Sequence, residues 1–352
     1  MPLKYFKFLR KEVRMPYHLH IEPSGHEMGC DHDETILEAA LRHGFNIPYG
    51  CRNGTCATCK GRILSGEVDY GKVEEKVLSA AEKASGLALF CQATPLSDVI
   101  IEVREIGAAK DIQIKTLPSR VAKIVDLAPD VRALFLKIPT TERLQFLPGQ
   151  YIDILLKDGG RRSFSLANVP GDDALLELHI KKVPGGAFTG HVFGALKEKD
   201  ILRFEGPLGT FFIRQESTRP LLMVATGTGF APIKGMLESL FAQGSTRPIH
   251  FYWGVRHAED FYCHDLLSEW QSRHDHFQVT RMVSRPDASW SGATGYVTAQ
   301  VIHDFPDASA IDAYICGHPD MVFSLSDALQ GAGLNPEHIF ADAFVFAKAK
   351  TS

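Results

Sequence analysis

The chain has 352 residues, which at about 150 residues per domain favours two or three domains. Its 38 Lys and Arg residues nearly balance 42 Asp and Glu residues, and the net charge of -4 argues against nucleic-acid binding. Hydrophobic residues make up 45% of the chain and charged residues 23%, which excludes collagen-like and low-complexity classes. No apolar run approaches the roughly 18 residues of a membrane span, and no secretion signal opens the chain. We therefore expect a cytoplasmic protein without integral membrane association.

Residues 1–15 are predicted to form a frayed tail. Five basic side chains stand against one acidic residue, Glu12, in residues 1–14, without a clear period. Met15 directly precedes the first strand pattern, so an extension of the start site is expected. A membrane-surface or partner-binding arm is the alternative.

Residues 16–106 predict a small α+β domain, because alternating strand patterns flank one amphipathic helix. The predicted elements are strands at 17–21, 62–68 and 99–103 and helices at 35–42 and 73–84. Four of the seven cysteines lie in this domain's loops at 51–59 and 91, and the odd total argues against a disulfide framework. Weak periodicity and a terminal Pro118 predict a linker at 107–118.

The rest of the chain predicts two further domains. Short strands separated by Gly and Pro turns predict an antiparallel β-barrel in residues 119–217. Its six strands are expected at 121–125, 131–138, 151–156, 163–166, 175–181 and 201–205. In residues 218–352, continuous apolar strands alternate with amphipathic helices, which indicates an α/β domain with a parallel sheet.

Four cysteines have the spacing of an iron-sulfur site. Cys51, Cys56 and Cys59 form Cys-x4-Cys-x2-Cys, and Cys91 follows after 31 residues. This is the plant-type [2Fe-2S] pattern, in which small and polar intervening residues let backbone amides turn toward the sulfurs. A structural zinc site is the alternative, but zinc sites usually combine two Cys-x2-Cys units or add His, and only one such unit exists here.

Two segments of the barrel predict a flavin site. The candidate residues are Arg162, Ser163, Phe164 and Ser165 on a predicted strand and Gly185, Gly186 and Thr189 in a later turn. A flavin needs a cation for its phosphates, an aromatic side chain against its ring and a hydroxyl near its redox-active nitrogen. Strand alternation puts Arg162 and Phe164 on one face and the serines on the other, so geometry alone does not fix the roles. The turn can offer amides and a hydroxyl to a pyrophosphate, although a plain turn is the alternative.

The segment after the first strand of the α/β domain predicts a nucleotide-binding turn. Its candidate residues are Thr226, Gly227, Thr228 and Gly229, and an amphipathic helix follows. Glycines let a pyrophosphate approach the helix N-terminus, but Pro232 stands where the Rossmann fingerprint has its third glycine. By pattern alone, a tight strand-to-helix turn is an equal alternative. After the next strand, Asp260 is a candidate for a ribose contact. Because no basic cluster accompanies Arg256, we expect NADH rather than NADPH.

The order of these motifs resembles the ferredoxin-NADP reductase superfamily, in the branch that fuses an N-terminal plant-type ferredoxin domain to FAD and nicotinamide domains. The resemblance covers residues 16–346 and implies a β-grasp fold for the ferredoxin domain. The family's R-x-[YF]-S motif implies a pyrophosphate contact for Arg162, a flavin contact for Phe164 and a place near the isoalloxazine nitrogen for Ser165. Tyrosine is the usual aromatic residue at the position of Phe164.

The same resemblance implies further roles. Gly185, Gly186 and Thr189 correspond to the turn on the FAD phosphates. The segment CGHPDM resembles the family's CG-x-P-x-M, which implies that Cys316 lies at the hydride-transfer position. Asp342-Ala343-Phe344 resembles the C-terminal region that approaches the flavin, which implies that role for Phe344.

Together the cofactors imply an electron relay from NADH to FAD, then singly to the [2Fe-2S] cluster, and then to a redox partner protein. The segments RRSFSLAN, GPLGTFF and TGFAPIKGM look most similar to the CDP-6-deoxy-Δ3,4-glucoseen reductases, which implies a pyridoxamine-dependent dehydrase of 3-deoxysugar synthesis as the acceptor. Reductases of Rieske dioxygenases and of phenol or alkane monooxygenases share every cofactor motif, so an oxygenase component is the alternative partner. A redox-inactive interaction module is a third hypothesis, which the complete motif set disfavours.

Overall fold

The computed structural model describes residues 15–109, 111–171 and 175–345. The described residues up to Gly107 form one compact unit, and those from Ala108 onward form a second. Apart from Met15, the predicted tail lies outside the described residues. Within these ranges no helix is both long and apolar enough to cross a membrane.

The first unit contains a five-stranded mixed sheet covered by a short helix. The strands of this unit are β1 (Tyr17–Glu22), β2 (His26–Cys30), β3 (Lys60–Ser65), β4 (Val68–Asp69), β5 (Leu87–Leu89), β6 (Thr94–Pro95) and β7 (Val99–Glu102). The order is β2-β1-β7-β3-β5, with β1 and β7 parallel, while β4 and β6 form a separate ladder. Helix α1 (Ile36–Arg42) starts at a capping box formed by Thr35 and Glu38 and buries its apolar face.

The helix predicted over 73–84 is wrong in length. Helix α2 spans only Ala80–Ala84, and residues before it form turns. The start is set by Ser79, whose hydroxyl accepts from the Glu82 amide while the Glu82 carboxylate accepts from the Ser79 amide. This reciprocal cap stabilises a helix that begins at residue 80, and the Ser-x-x-Glu spacing was its signal in the sequence.

The second unit begins with a closed antiparallel barrel. Its elements are β8 (Lys115–Ala128), β9 (Val131–Lys137), β10 (Tyr151–Leu155), β11 (Arg161–Ser165), β12 (Leu175–Lys181), β13 (Ile201–Leu208) and helix α3 (Ala187–Phe193). The strand order is β11-β10-β13-β8-β9-β12, and a bridge between Leu166 and Leu178 joins the two outer strands. Closure of the barrel removes the free edges of the sheet. The apolar side chains of these strands form one core. Strand β8 already starts inside the segment predicted as a linker.

A six-stranded parallel sheet follows in the same unit. Its strands are β14 (Leu221–Thr226), β15 (Ile249–Val255), β16 (Phe277–Val283), β17 (Ala293–Thr294), β18 (Asp312–Gly317) and β19 (Ile339–Ala343). Its helices are α4 (Phe230–Ala242), α5 (His264–Arg273), α6 (Val297–Asp304) and α7 (Pro319–Gly331). The order β17-β16-β15-β14-β18-β19 reverses direction between β14 and β18. Ligands of such sheets bind where the order reverses, outside the carboxyl ends of the strands.

The three predicted architectures are confirmed: a ferredoxin-type α+β domain, an antiparallel barrel of six strands and a parallel α/β domain. The limits of the domains given above stay predictions.

Candidate cofactor sites

The four cysteines of the predicted cluster site lie together as two pairs. The side chains of Cys51 and Cys56 hydrogen-bond to each other, as do those of Cys59 and Cys91. The Thr55 amide donates to the sulfur of Cys51 at 3.4 Å. The hydrogen bond from Cys56, followed by those from nearby amides and Thr55, lowers the pKa of Cys51 to about 5. Cys51 therefore favours the thiolate, which is the form that binds metal. Its partner Cys56 and the third cysteine of the loop, Cys59, have raised pKa values, because each hydrogen-bonds to its paired cysteine and is buried.

The backbone of this loop takes conformations that ordinary residues avoid. Arg52 and Ala57 both have a φ of 58°, and Gly54 has a φ of 80°. A Cβ on Gly54 would lie 2.8 Å from the Gln92 side chain. Positive φ in residues with side chains is strained and persists where the surroundings require it. Here it turns the loop around the cysteine sulfurs.

The two cysteine pairs fit a two-iron cluster. In the described part of the chain, no three His, Cys, Asp or Glu side chains are placed around one metal position. Two adjacent pairs of cysteines match two irons with two thiolate ligands each. All seven cysteines are free, so no disulfide competes for these sulfurs.

The predicted flavin strand β11 shows the expected alternation. Phe164 packs against the barrel core and lies 5.5 Å from Phe188 of α3, measured between ring centroids. The Ser163 hydroxyl lies on the other face and donates to the Asp153 carboxylate at 2.6 Å. Arg162 donates to the carbonyl of the preceding residue at 2.7 Å. Ser165 is buried at the end of the strand.

The glycine turn before α3 differs from its prediction in one respect. Thr189 lies inside the helix, and its hydroxyl accepts from the Val183 amide at 3.1 Å. The hydroxyl therefore stabilises the turn, and its contact with FAD stays a prediction. Gly186 is the N-cap residue of α3. Gly185 has a φ of 71°, and a Cβ there would meet nothing within 4 Å, so its backbone faces open space where a phosphate could approach.

The predicted nicotinamide turn lies at the point where the parallel sheet reverses. Residues 227–229 form one 3-10 turn that leads into α4. A Cβ on Gly227 would meet nothing within 4 Å, so the turn is open to a ligand above it. The Trp253 indole donates to the Gly227 carbonyl at 2.9 Å, which fixes the turn from below. Thr226 accepts from the His318 amide at 2.9 Å through its hydroxyl, so that hydroxyl also joins β14 to the end of β18. Of the other predicted residues, Thr228 lies within the turn itself.

Cys316 and Phe344 are brought to the same place. Cys316 is fully buried at the end of β18 and donates to the Gly229 carbonyl at 2.9 Å. Burial raises the pKa of Cys316 well above its ordinary value, so it stays a thiol. The Phe344 amide donates to the Gly317 carbonyl at 2.7 Å, directly after Cys316. A Cβ on Gly229 would lie 2.6 Å from the Cys316 carbonyl, so only glycine fits here.

The two residues predicted near the ribose lie beyond the end of β15. Arg256 is exposed, and its carbonyl accepts from the Arg285 amide at 2.8 Å. The Asp260 carboxylate accepts from the His257 amide at 3.0 Å and caps the 3-10 turn 258–260. Asp260 thus has a local structural role, and its ribose contact stays a prediction.

The sequence analysis missed a group of buried polar side chains between the barrel and the parallel sheet. Glu177 and His179 lie on β12, and Lys234 lies on α4. A signal was present, since Glu177 and His179 alternate with core leucines, and Lys234 interrupts the apolar first two turns of α4. Neither pattern shows that the strand and the helix meet.

Three protein-family models match the chain in consecutive segments. They are described as a 2Fe-2S iron-sulfur cluster binding domain, matching residues 19–96, an oxidoreductase FAD-binding domain, matching 118–213, and an oxidoreductase NAD-binding domain, matching 223–327. Each segment contains most of the candidate residues for the corresponding cofactor.

Relatives match over nearly the whole chain. The CDP-6-deoxy-L-threo-D-glycero-4-hexulose-3-dehydrase reductase of Yersinia pestis is 39% identical, over 95% of this chain and 100% of its own length. The reductase component of phenol 2-monooxygenase from a Pseudomonas species is 34% identical, over 95% and 96%. Among solved structures, an Amycolatopsis cytochrome P450 reductase is 34% identical, covers 93% of this chain and 98% of its own, and superposes with a TM-score of 0.77.

Proposed function

We propose, from the premise that this chain belongs to the ferredoxin-NADP reductase family in its [2Fe-2S] and FAD branch, that it delivers electrons to a nucleotide-sugar dehydrase. Membership makes it an NAD(P)H oxidoreductase and an electron-transfer component. When bound, the nicotinamide supplies a hydride, the flavin exchanges one or two electrons and the cluster carries one.

One observation supports the dehydrase as the electron acceptor. The chain aligns at 39% identity with the full length of a reductase that is named for a CDP-6-deoxy-hexulose dehydrase. The motifs RRSFSLAN and TGFAPIKGM support the same assignment. We therefore propose a pyridoxamine-dependent dehydrase as the partner. An oxygenase component is the second candidate, supported by the 34% identity to a phenol monooxygenase reductase.

In this proposal the chain's own residues hold and orient the cofactors. Cys51, Cys56, Cys59 and Cys91 would be the four ligands of the cluster. On the barrel, the guanidinium of Arg162 would neutralise the FAD pyrophosphate, and the amides at Gly185 and Gly186 would bind it.

On the parallel sheet, residues 226–229 would bind the nicotinamide pyrophosphate with their amides at the N-terminus of α4. Cys316 and Phe344 would border the nicotinamide ring, and the closed packing behind them would exclude water. Ser165 would contact the redox-active part of the flavin. We propose NADH as the donor, because no further Lys or Arg directly neighbours the exposed Arg256 in the sequence.

An anaerobic titration with NADH tests the relay. Visible absorbance should show the flavin and cluster bands bleaching together at about 1.5 NADH per chain, since the two cofactors take three electrons. Bleaching of the flavin band alone would contradict the connection to the cluster. The same titration with NADPH tests the choice of donor.

Reconstitution tests the acceptor. Purified reductase and NADH would be combined with a CDP-6-deoxy-hexulose dehydrase or with the oxygenase component of a phenol monooxygenase, and product formation would be measured. We expect acceptor-dependent turnover with the dehydrase. Turnover with the oxygenase alone would favour the second candidate and overturn the first.

A further inference from the structure

A buried lysine connects the barrel to the helix of the predicted nicotinamide site. The ammonium of Lys234 on α4 has three acceptors: the Ala167 carbonyl at 3.0 Å, Glu177 at 2.9 Å and Glu238 at 2.9 Å. An ammonium has three N-H donors, so all of them are used. The side chain is 10% exposed. Lys234 therefore has no free proton to offer a ligand, and its contacts join two parts of the protein.

The connection continues through a fully buried histidine. His179 Nε2 lies 2.9 Å from the Glu177 carboxylate, and His179 Nδ1 lies 3.1 Å from the hydroxyl of Tyr262. Burial lowers the pKa of His179, so its ring is neutral. Because the carboxylate can only accept, Nε2 carries the proton and Nδ1 accepts from Tyr262. Every member of the network thus has a matching partner.

The charges of this network depend on one another. Burial alone would lower the pKa of Lys234, but Glu177 and Glu238 raise it. Burial would also raise the pKa of Glu177, but His179 and Lys234 lower it. Lys234 is therefore a cation and Glu177 an anion. Removing one of them leaves the other as a buried charge without its main partner, which is strongly unfavourable.

The residues of the network are close along the chain to residues of both predicted cofactor sites. Ala167 is two residues after Ser165, and its amide donates to the Glu177 carbonyl at 2.8 Å. Lys234 is in the second turn of α4, which begins directly after Gly229. A shift of Lys234 would thus move the predicted pyrophosphate turn relative to the flavin strand.

Beside the network, helix α4 approaches the barrel backbone closely. A Cβ on Gly235 would lie 3.1 Å from the Asn168 carbonyl. A Cβ on Gly149, in the barrel, would lie 2.3 Å from the terminal methyl of Met236. Helix α4 therefore touches the barrel backbone at neighbouring positions.

An aromatic chain extends the connection to the nicotinamide turn. The ring of Tyr262 contacts Phe230 edge to face, with centroids 5.6 Å apart, and Phe230 stacks on Trp253 at 4.5 Å. Trp253 is the residue that donates to Gly227. Packed residues therefore link His179 on the barrel to the turn without a gap.

We propose that Lys234, Glu177 and His179 are positioning residues that set the distance between the flavin strand and the nicotinamide turn, and so the geometry of hydride transfer. This inference rests on the proposed cofactor sites. Displacements of about 1 Å from the reactive geometry can slow a reaction by about 100-fold. The network acts through the packing of β12 and α4 and contacts neither reacting atom.

A second buried ion cluster, in the parallel sheet, provides the control. Asp312, at the opposite end of β18 from Cys316, is fully buried and accepts from Arg247 at 2.9 Å and His338 at 2.8 Å. It connects the beginnings of strands and lies away from the predicted nicotinamide turn. A change there should affect stability alone.

The test compares Lys234→Met, which keeps the length of the side chain, with Asp312→Asn. In anaerobic stopped-flow, Lys234→Met should lower the limiting rate of flavin reduction by about 10- to 100-fold, with a much smaller change in the NADH concentration that gives half of that rate. Asp312→Asn should lower the melting temperature but keep the limiting rate. Glu238→Gln should keep the rate, because Glu177 and Ala167 still hold the ammonium.

A second readout does not depend on turnover. Hydrogen-deuterium exchange of the full chain, freed of its cofactors, should be faster at residues 226–237 in Lys234→Met than in wild type or Asp312→Asn. Lys234→Arg, which can still bond Glu177, should restore both slow exchange and most of the rate.

Two results would overturn the proposal. One is a limiting rate in Lys234→Met within about twofold of wild type despite a lowered melting temperature, since rate then does not depend on the network. The other is unchanged exchange at residues 226–237. If Lys234→Met does not fold, Glu177→Gln decides by the same criteria, and Lys234→Arg remains the variant expected to keep the rate. A wild-type protein whose flavin NADH cannot reduce would instead contradict the proposed function, and the exchange result would still apply to the network.

Discussion

The cysteine loop at 51–59 and the strand end at 316–318 use the same side chain in opposite ways. In the loop, cysteines lie as pairs in a strained backbone, and amide and thiol donors lower the pKa of Cys51 to about 5. At the strand end, Cys316 is fully buried, its pKa is raised and it donates to a carbonyl. The difference shows that the pKa of a cysteine follows from its surroundings: hydrogen bonds lower it for Cys51, and burial raises it for Cys316. The loop environment favours the thiolate of Cys51, which can bind metal, whereas the strand end keeps Cys316 as a neutral, closely packed thiol.

The largest effect should come from removing one ligand of the loop. Cys56→Ser should abolish cluster assembly and the reduction of external acceptors, while NADH still reduces the flavin, because the flavin residues lie in other segments. Iron content and visible absorbance measure the first effect, and stopped-flow measures the second. Full acceptor activity in this variant would contradict the proposed route.

Cys30→Ser is the matched control for that variant. Cys30 is a buried cysteine of the same unit, outside the quartet, and its thiol points to backbone carbonyls that a hydroxyl can also bond. We expect it to retain the cluster. Loss of the cluster in both variants would mean that general unfolding, and not the missing ligand, explains the result.

The second effect concerns the backbone at the strand end. Gly317 has a φ of 124°, and a Cβ there would lie 2.3 Å from the Thr226 hydroxyl. Gly317→Ala should therefore cost at least about 1–3 kcal/mol of unfolding free energy from backbone strain, and it should weaken NADH binding. Denaturant unfolding and an NADH titration measure these effects.

Gly331→Ala serves as its control, since a Cβ there meets nothing within 4 Å and the residue is in the last turn of α7. It should be neutral or stabilise by up to about 1 kcal/mol. Equal losses in the two variants would show that the close approach of Gly317 to Thr226 is unimportant.

A smaller effect distinguishes the two roles of cysteine directly. Cys316→Ala removes the thiol that donates to the buried Gly229 carbonyl and should lower the unfolding free energy by about 1–3 kcal/mol, whereas Cys316→Ser retains a donor and should lose less. Flavin reduction by NADH should follow the same order. If Cys316→Ser lowers the unfolding free energy and the rate of flavin reduction as much as Cys316→Ala does, the hydrogen bond to Gly229 does not explain the need for cysteine at this position.

The smallest expected effect is a pH dependence of stability that comes from an ion pair beside the cysteine loop. Near the cysteine loop, Lys60 follows Cys59 and bonds Glu82 at 2.7 Å, and this bond, with the Ser79 cap, lowers the pKa of Glu82 to about 2. A lowered pKa in the folded state stabilises the protein above the ordinary pKa near 4.5, and this stabilisation disappears as the pH falls toward 2. Because Glu82 is partly exposed, Glu82→Gln should cost only about 1 kcal/mol at neutral pH.

The difference between Glu82→Gln and wild type should shrink as the pH falls from about 4.5, as measured by denaturant unfolding at several pH values. Glu269→Gln, which breaks an exposed pair on α5, should change stability by only about 0.5 kcal/mol. A constant difference for Glu82→Gln at all pH values would contradict an ionic origin.

Local patterns predicted most of the fold, and the cysteine spacing indicated which four cysteines lie together. The cysteine spacing specified Cys51, Cys56, Cys59 and Cys91, and strand periodicity specified all six strands of the barrel. The helix at 73–84 was overextended, because mixed charges suit a turn as well as a helix and the Ser79 cap was overlooked.

The parts that sequence could not supply depend on contacts between distant segments. Glu177 and Lys234 are 57 positions apart, and nothing local to either indicates that they meet. The sequence also did not indicate that the Thr189 hydroxyl accepts from the Val183 amide, because this contact depends on how tightly the turn closes. Its predicted contact with the FAD phosphates stays a prediction. Similarly, the Asp260 carboxylate is used by its own turn.

The stacked position of Trp253 gives the molecule a local optical reporter. All three tryptophans, Trp253, Trp270 and Trp290, lie in the parallel α/β part of the chain. Tryptophan emission therefore follows the unfolding of that region alone, with Trp253 directly attached to the Gly227 turn. The visible colour of an iron-sulfur centre would report on the opposite end of the sequence. Recording both signals during one denaturation would show whether the two ends melt together or one after the other.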